Sequence, residues 1–226
     1  MTSWDVVNEA LDGNGRLRDT IWRTVIGDDY IEMAFRWAHE ADPAAKLFYN
    51  DFDAEGLGTK SDAVYIFVQN LLAKGIPIHG VGLQMHVSQD FAPAPQNVIT
   101  NMQRFAALGL YIHVSEMDVR LVMPPSPQTL ALQAQVYANA MQACLAVSAC
   151  TQFTTWGFTG KFSWIPAFFP GFGAALPFDE DYHPKLAYHA LLATLRSQQV
   201  SASVIVPDEG PFAGPGDGPS GTHESE

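Results

Sequence analysis

Trp4-Asp5-Val6-Val7-Asn8-Glu9-Ala10 is a short β-branched run that finishes on an amide and a carboxylate. The same design recurs down the chain. Apolar runs at 46–50, 80–86 and 111–118 finish on Asn50-Asp51, on Gln84 with His86, and on Glu116 with Asp118, while a run at 152–158 carries Trp156, with Trp164 beyond it. Amphipathic helical patterns lie between the runs. Ile31, Ala34, Phe35 and Ala38 recur at helical spacing behind Asp28 and Asp29, and Val64, Phe67, Val68 and Leu71 sit between a Thr59/Asp62 pair that resembles a capping box and Gly75. Val98, Ile99, Met102 and Phe105 make a stripe closed by Gly109. Ser126-Pro127 opens a long helix toward Cys144, and Pro184 opens a last one through Tyr188, Leu191, Leu192 and Leu195. Strands alternating with helices at roughly 30–40 residues per unit predict βα units around a parallel sheet. The count is five strands, each with a helix.

Composition narrows the partners. The 226 residues are 47% hydrophobic and carry 12 Lys+Arg against 24 Asp+Glu, a formal charge of −12. Such a balance repels both a nucleic-acid backbone and an anionic membrane, so no nucleic acid and no membrane is expected as a partner. No apolar stretch is long enough to span a bilayer, and the first residues show no basic or apolar leader region. Asp208, Glu209, Asp217, Glu224 and Glu226 supply −5 of the −12 in a Pro/Gly-rich end without Lys or Arg, leaving about −7 for the remainder. Too little apolar surface is available there to offset the entropy of ordering, so 200–226 reads as a disordered tail and 1–199 as the folded domain.

The carboxyl ends of parallel strands are where α/β proteins build sites. Taken singly, a carboxylate there caps a helix or pairs with a base. Together, two glutamates on separate strands among amides and tryptophans match what cleavage of a sugar linkage needs. One carboxyl protonates the departing oxygen, the other attacks or stabilises the anomeric carbon, and indole faces stack on sugar rings. His39-Glu40 lacks the second histidine of a zinc-protease helix, and no Cys/His cluster has metal spacing, so neither a metal nor a cofactor is expected. His113 reads as structural, and Met85 and Met102 as core packing.

The first run, together with Gly80-Val81-Gly82-Leu83-Gln84-Met85-His86, Val114-Ser115-Glu116-Met117-Asp118, Thr155-Trp156-Gly157-Phe158-Thr159 and Ser163-Trp164, resembles the signature segments of glycoside hydrolase family 10, the endo-β-1,4-xylanases. Order and spacing match from Trp4 to about Leu195. The resemblance implies that Glu9 is the general acid/base, that Asn8 bonds the sugar 2-hydroxyl, and that Glu116 is the nucleophile of a retaining double displacement on xylan. It implies that His86 and Asp118 support Glu116, that Asn50 and Gln84 belong to the binding site, with Gln84 touching the sugar at the cleavage point, and that Trp156 and Trp164 wall that subsite. It further implies a secreted, extracellular enzyme, a disulfide between Cys144 and Cys150 in preference to two buried thiols, and a cleft wall made by 165–178. Gly160 stands where the family has an acidic residue, Phe52 and Asp53 where Tyr and Asn are usual, and Pro177 where a further apolar residue is expected.

In the family the first run is the fourth strand of a (β/α)8 TIM barrel. The resemblance therefore covers strands four to eight, the C-terminal part of the barrel in about five βα units, with the N-terminal three units missing. Five strands cannot close a barrel, so two open sheet edges and self-association through them are expected. Three readings stand side by side: a xylan-cleaving enzyme, whole or as a fragment of a longer chain; an inactive remnant that still binds xylan; and a half-barrel needing a complementary chain.

Overall fold

Parallel strands in an open arc, backed by helices, account for residues 2–203, which are the residues the computed structural model describes. β1 (Ser3–Asn8), β2 (Lys46–Asp51), β3 (Gly80–Leu83), β5 (Tyr111–Val122) and β6 (Cys150–Thr155) are neighbours in that order. Two short strands attach to the far half of β5: β4 (His86–Ser88) runs parallel to it, and β7 (Phe172–Gly173) antiparallel. The helices are α1 (Ile21–Ile26), α2 (Tyr30–Ala41), α3 (Thr59–Ala73), α4 (Pro95–Ala107), α5 (Pro127–Leu145), α6 (Ile165–Phe168) and α7 (Leu186–Ser203). The five predicted βα units are present. Among the described residues, β1 pairs only with β2 and β6 only with β5, so the arc is open at both ends.

Alternation along each strand sends one set of side chains out to the helices and the other to the inner face. Leu47, Tyr49, Val81, Leu83, Ile112 and Val114 are fully buried in one core with Val64, Val68, Met102, Phe105 and Tyr137 from the helices. Met85 and Met102 lie in that core, as read from the sequence. Burial of each such side chain contributes roughly 1.5–3 kcal/mol.

Several boundaries differ from the sequence reading, each for a local reason. The run at 80–86 is two strands, because Met85 takes the left-handed conformation (φ 64) and breaks the ladder. The last core strand ends at Thr155 ahead of Gly157 (φ 101), which leaves Trp156 just past it. β5 runs on to Val122 because β7 gives it a partner there. The Thr59/Asp62 pair is no capping box: Gly58 is the N-cap, and the Ser61 hydroxyl bonds its carbonyl. Ser126 and Thr129 do form one ahead of α5, and Thr20 caps the short α1, which the sequence periodicity did not reveal. α7 extends to Ser203, so 200–203 are helical; 204–226, and the tail expectation for them, lie outside the described residues.

Apolar side chains cluster at the open ends. Trp4, Trp22, Val25, Ile26 and Trp37 are exposed near β1, and a groove of about 450 Å³ there is lined by Val6, Thr20, Trp22, Ile26, Tyr30 and Trp37. Trp156, Phe158 and Phe162 are exposed just beyond β6. No helix among the described residues is long and apolar enough to cross a membrane.

Candidate active site

Parallel register lines up Asn8 with Asn50 and Asn50 with Gly82 across β1, β2 and β3. A Cβ on Gly82 would lie 2.2 Å from Asn50 Oδ1, so a glycine in this row is what leaves the Asn50 side chain its room. Asn50 uses that room in three directions. Its Nδ2 donates to Asn8 Oδ1 at 3.0 Å and to Glu116 Oε1 at 2.6 Å, while its Oδ1 accepts from the Ser115 hydroxyl at 2.7 Å. Gln84 Nε2 donates to the same Asn8 Oδ1 at 3.0 Å and to Glu9 Oε1 at 3.2 Å. Glu9 and Glu116 are therefore joined by a continuous row of three amides, Gln84, Asn8 and Asn50.

Local backbone geometry aims these groups. Glu9 follows β1 in the left-handed region (φ 53), which turns its side chain out of the strand's alternation. The β5–β6 register shifts between Val114 and Met117, an irregularity that lets Ser115 and Glu116, adjacent in sequence, both reach Asn50. His113 pairs with Gly82 of β3, is buried, and stacks on Phe48 with ring centroids 3.8 Å apart. Burial pushes its imidazole down to about 4, so it is neutral, in keeping with the structural role read from the sequence.

Glu116 has a second set of partners. His86 Nε2 lies 3.3 Å from Glu116 Oε2, and His86 Nδ1 lies 2.9 Å from Asp118 Oδ2. Trp164 Nε1 donates to the same Asp118 oxygen at 2.8 Å. Burial opposes charge on His86, but hydrogen bonds to Asp118 and Glu116 and the charges of both outweigh it, holding the ring up at about 9. At neutral pH the imidazolium donates from both nitrogens and keeps two carboxylates apart. Trp164 stands 5.0 Å from the His86 ring and is braced by Phe168 and Phe169 from the 165–178 segment. Trp156 is 6.4 Å from His86, half-exposed at the rim.

Of the residues singled out from the sequence, Asn8, Glu9, Asn50, Gln84, His86, Glu116, Asp118 and Trp164 are linked by hydrogen bonds, and Trp156 borders them. Asp51 faces away. It is buried, accepts from the Tyr49 hydroxyl, and pairs with Lys60 at 3.0 Å; burial raises its carboxyl against the pull of both partners. Lys60 also donates to the carbonyls of Leu11 and Asp12 and lies over the Phe52 ring, tying the segment after Glu9 to the end of β2. Cys144 and Cys150 form a disulfide at the opposite end of β6. Gly160 opens a short helical turn after Thr159, whose hydroxyl donates to Asp179, and a Cβ there would meet only ordinary contacts. Arg18, Ser115 and Lys60 were not singled out from the sequence; one basic residue nine positions after Glu9 is no signal by itself. Among the described residues, no group of three or more His, Cys, Asp or Glu could hold a metal ion.

Two glutamates on separate strands, connected through amides and flanked by indoles, are the kind of centre that glycoside hydrolases use. The family model for glycosyl hydrolase family 10 matches residues 1–194, and the chain belongs to that family. Endo-1,4-beta-xylanase B of Thermotoga neapolitana is 46% identical over 190 residues, 83% of this chain and 54% of that protein. Endo-1,4-beta-xylanase A of Humicola insolens is 39% identical over 196 residues, 87% of this chain and 52% of that protein. The crystal structure of xylanase 10B from Thermotoga maritima superposes with a TM-score of 0.85 at 44% identity, covering 88% of this chain and 62% of that one. Xylanase 10B from Thermotoga petrophila, in complex with xylobiose, gives 0.84 at 43% identity, with 87% and 60% covered. The chain thus spans about half the length of the curated relatives it matches.

Proposed function

We propose that this chain carries the reacting centre of a retaining endo-1,4-β-xylanase. Glu116 attacks the anomeric carbon while Glu9 gives its proton to the departing glycosidic oxygen, forming a xylosyl ester on Glu116. Glu9 then takes a proton from water as that water attacks the anomeric carbon and displaces the Glu116 carboxylate, releasing the sugar with its original configuration. Asn50 and the His86 imidazolium both donate to Glu116, and Trp164 and Trp156 offer faces for a xylose ring.

The observation that carries this reading is the amide row that links Glu9 to Glu116 through Gln84, Asn8 and Asn50. The named xylanase relatives and the xylobiose complex support xylan as substrate. The test is reducing-sugar release from xylan by the full chain and by Glu116→Ala. Equal release by the two overturns it.

The exposed Trp22, Val25 and Trp37 beside the unpaired β1 edge favour a second reading, in which a second copy or a complementary chain covers this end and turnover requires that cover. Sedimentation of a clean monomer that hydrolyses xylan overturns it. A third outcome, tryptophan fluorescence that shifts with xylohexaose without turnover, identifies a binding remnant.

A further inference from the structure

The break between β3 and β4 can be accounted for group by group. The Gln84 N–H donates to the Asp51 carbonyl at 3.0 Å, the Gln84 carbonyl accepts from Glu116 N–H at 3.2 Å, and the Met85 carbonyl accepts from Asp118 N–H at 3.3 Å. The Met85 N–H is the group that no strand takes. It donates to Glu55 Oε1 at 2.7 Å. Met85 is held at φ 64, a conformation that costs a residue with a side chain about 1 kcal/mol or more and persists only where the surroundings impose it. Gln84 and His86, on either side of it, each send a side chain to one of the two glutamates, Gln84 to Glu9 and His86 to Glu116.

We propose that Glu55 is a positioning residue of the reaction: its carboxyl fixes the Met85 peptide and so aims Gln84 at Glu9 and His86 at Glu116. The inference rests on the reading of those two glutamates as the reacting pair. Glu55 is only 5% exposed, and its main chain is pinned from α4, where Asn101 Nδ2 donates to the carbonyls of Ala54 at 2.6 Å and Glu55 at 3.0 Å. Burial pushes its carboxyl up to about 7, against the pull of its own and Met85's N–H groups. Asp53 adds to the rise and His86 opposes it. An apolar side chain of that size would spare the cost of a buried acid and leave the Met85 N–H orphaned.

The test compares Glu55→Gln, which keeps an acceptor at the same reach without charge, with Glu55→Asp, which keeps the charge one methylene short. Both are made in the full 226-residue chain. Readouts are the side-chain amide resonance of Gln84, the ring nitrogen resonances of His86, and kcat and KM on xylohexaose. With Gln, all stay as in the wild type. With Asp, both sets of resonances move and kcat falls about 10–100-fold with KM within about threefold, the split expected when reacting groups are mis-aimed while binding is kept. Wild-type resonances and rates in the Asp variant, or equal damage in both, overturn the proposal. In the unsubstituted chain the Met85 amide resonates downfield and exchanges slowly; exchange at the rate of an open loop amide also overturns it. Absence of turnover in the wild type refutes the xylanase reading alone, and the resonances still decide the role of Glu55.

Discussion

Arg18 Nη1 lies 2.8 Å from Glu9 Oε2 and 3.3 Å from the Glu9 carbonyl oxygen, so one guanidinium holds both the side chain and the main chain of that residue. The other carboxylate oxygen is held by Gln84. Glu9 is therefore gripped from two sides in a left-handed conformation, one grip from the surface and one from the amide row.

Loss of the surface grip separates orientation from stability. The pair is 43% and 34% exposed, so Arg18→Met changes unfolding free energy in urea by less than about 1 kcal/mol. Hydrolysis of xylohexaose falls about tenfold, because a poor leaving group needs a well-placed proton donor. An aryl xylobioside with a good leaving group is cleaved at nearly the wild-type rate. Equal losses on both substrates would contradict the role given to Glu9.

Gly82→Ala intrudes on the amide row without touching either glutamate. The new methyl would sit 2.2 Å from Asn50 Oδ1 and 3.0 Å from its Cγ, so Asn50 must swing away. Overpacking of this kind costs about 1–3 kcal/mol, seen as a lower urea midpoint. The loss of the links to Asn8 and Glu116 lowers xylan hydrolysis at least about tenfold. A variant with wild-type midpoint and rate would show that Asn50 does not hold the row.

His86 makes stability depend on pH. Burial disfavours its charge, yet Asp118 and Glu116 hold it up at about 9, above the ordinary histidine value near 6.5. Its folded pKa is raised, so its contribution is complete below about 6.5 and disappears as pH rises through about 9. The unfolding free energy of the wild type minus that of His86→Gln, measured in urea, therefore shrinks between those pH values. A difference that grows with pH would contradict an imidazolium between two carboxylates.

The disulfide is remote from the chemistry. Cys144 and Cys150 are six positions apart and join the end of α5 to the start of β6, the end of the strand away from Glu116. Replacing both by alanine lowers unfolding free energy by about 2 kcal/mol, from the closure of so short a loop. Xylan turnover at 25 °C is unchanged while the chain stays folded. A fall in kcat without a fall in stability would mean that β6 transmits strain to Trp156.

What was legible in the sequence was whatever periodicity and residue type carry. Val6-Val7 ahead of Asn8-Glu9, and Val114-Ser115-Glu116 on β5, mark strands with the chemistry already attached. Two classes of feature were not legible. Met85 looks like one more apolar residue in a strand, because left-handed backbone in a non-glycine leaves no mark on composition. Arg18, Lys60 and Glu55 act across 9, 49 and 30 positions, on Glu9, Leu11 and Met85, and a single sequence does not reveal pairings at such distances. The segment 165–178 lay between the two cases. Its aromatics announced a wall, but only the pairing of Phe172 with Val122 places it behind Trp164.

The amide row crosses neighbouring strands, and strands hydrogen-bonded side by side keep a spacing of about 4.8 Å. The gap between the two carboxyls is then a gauge of sheet curvature. Flattening the arc pulls on the links Gln84–Asn8 and Asn8–Asn50 together, and a few tenths of an ångström takes a 3.0 Å contact toward the limit of useful hydrogen bonding. Whatever packs against the edges of β1 and β6 sets that curvature. The reach between Glu116 and Glu9 is in this way tensioned from the rims of the sheet, by groups far from either carboxyl.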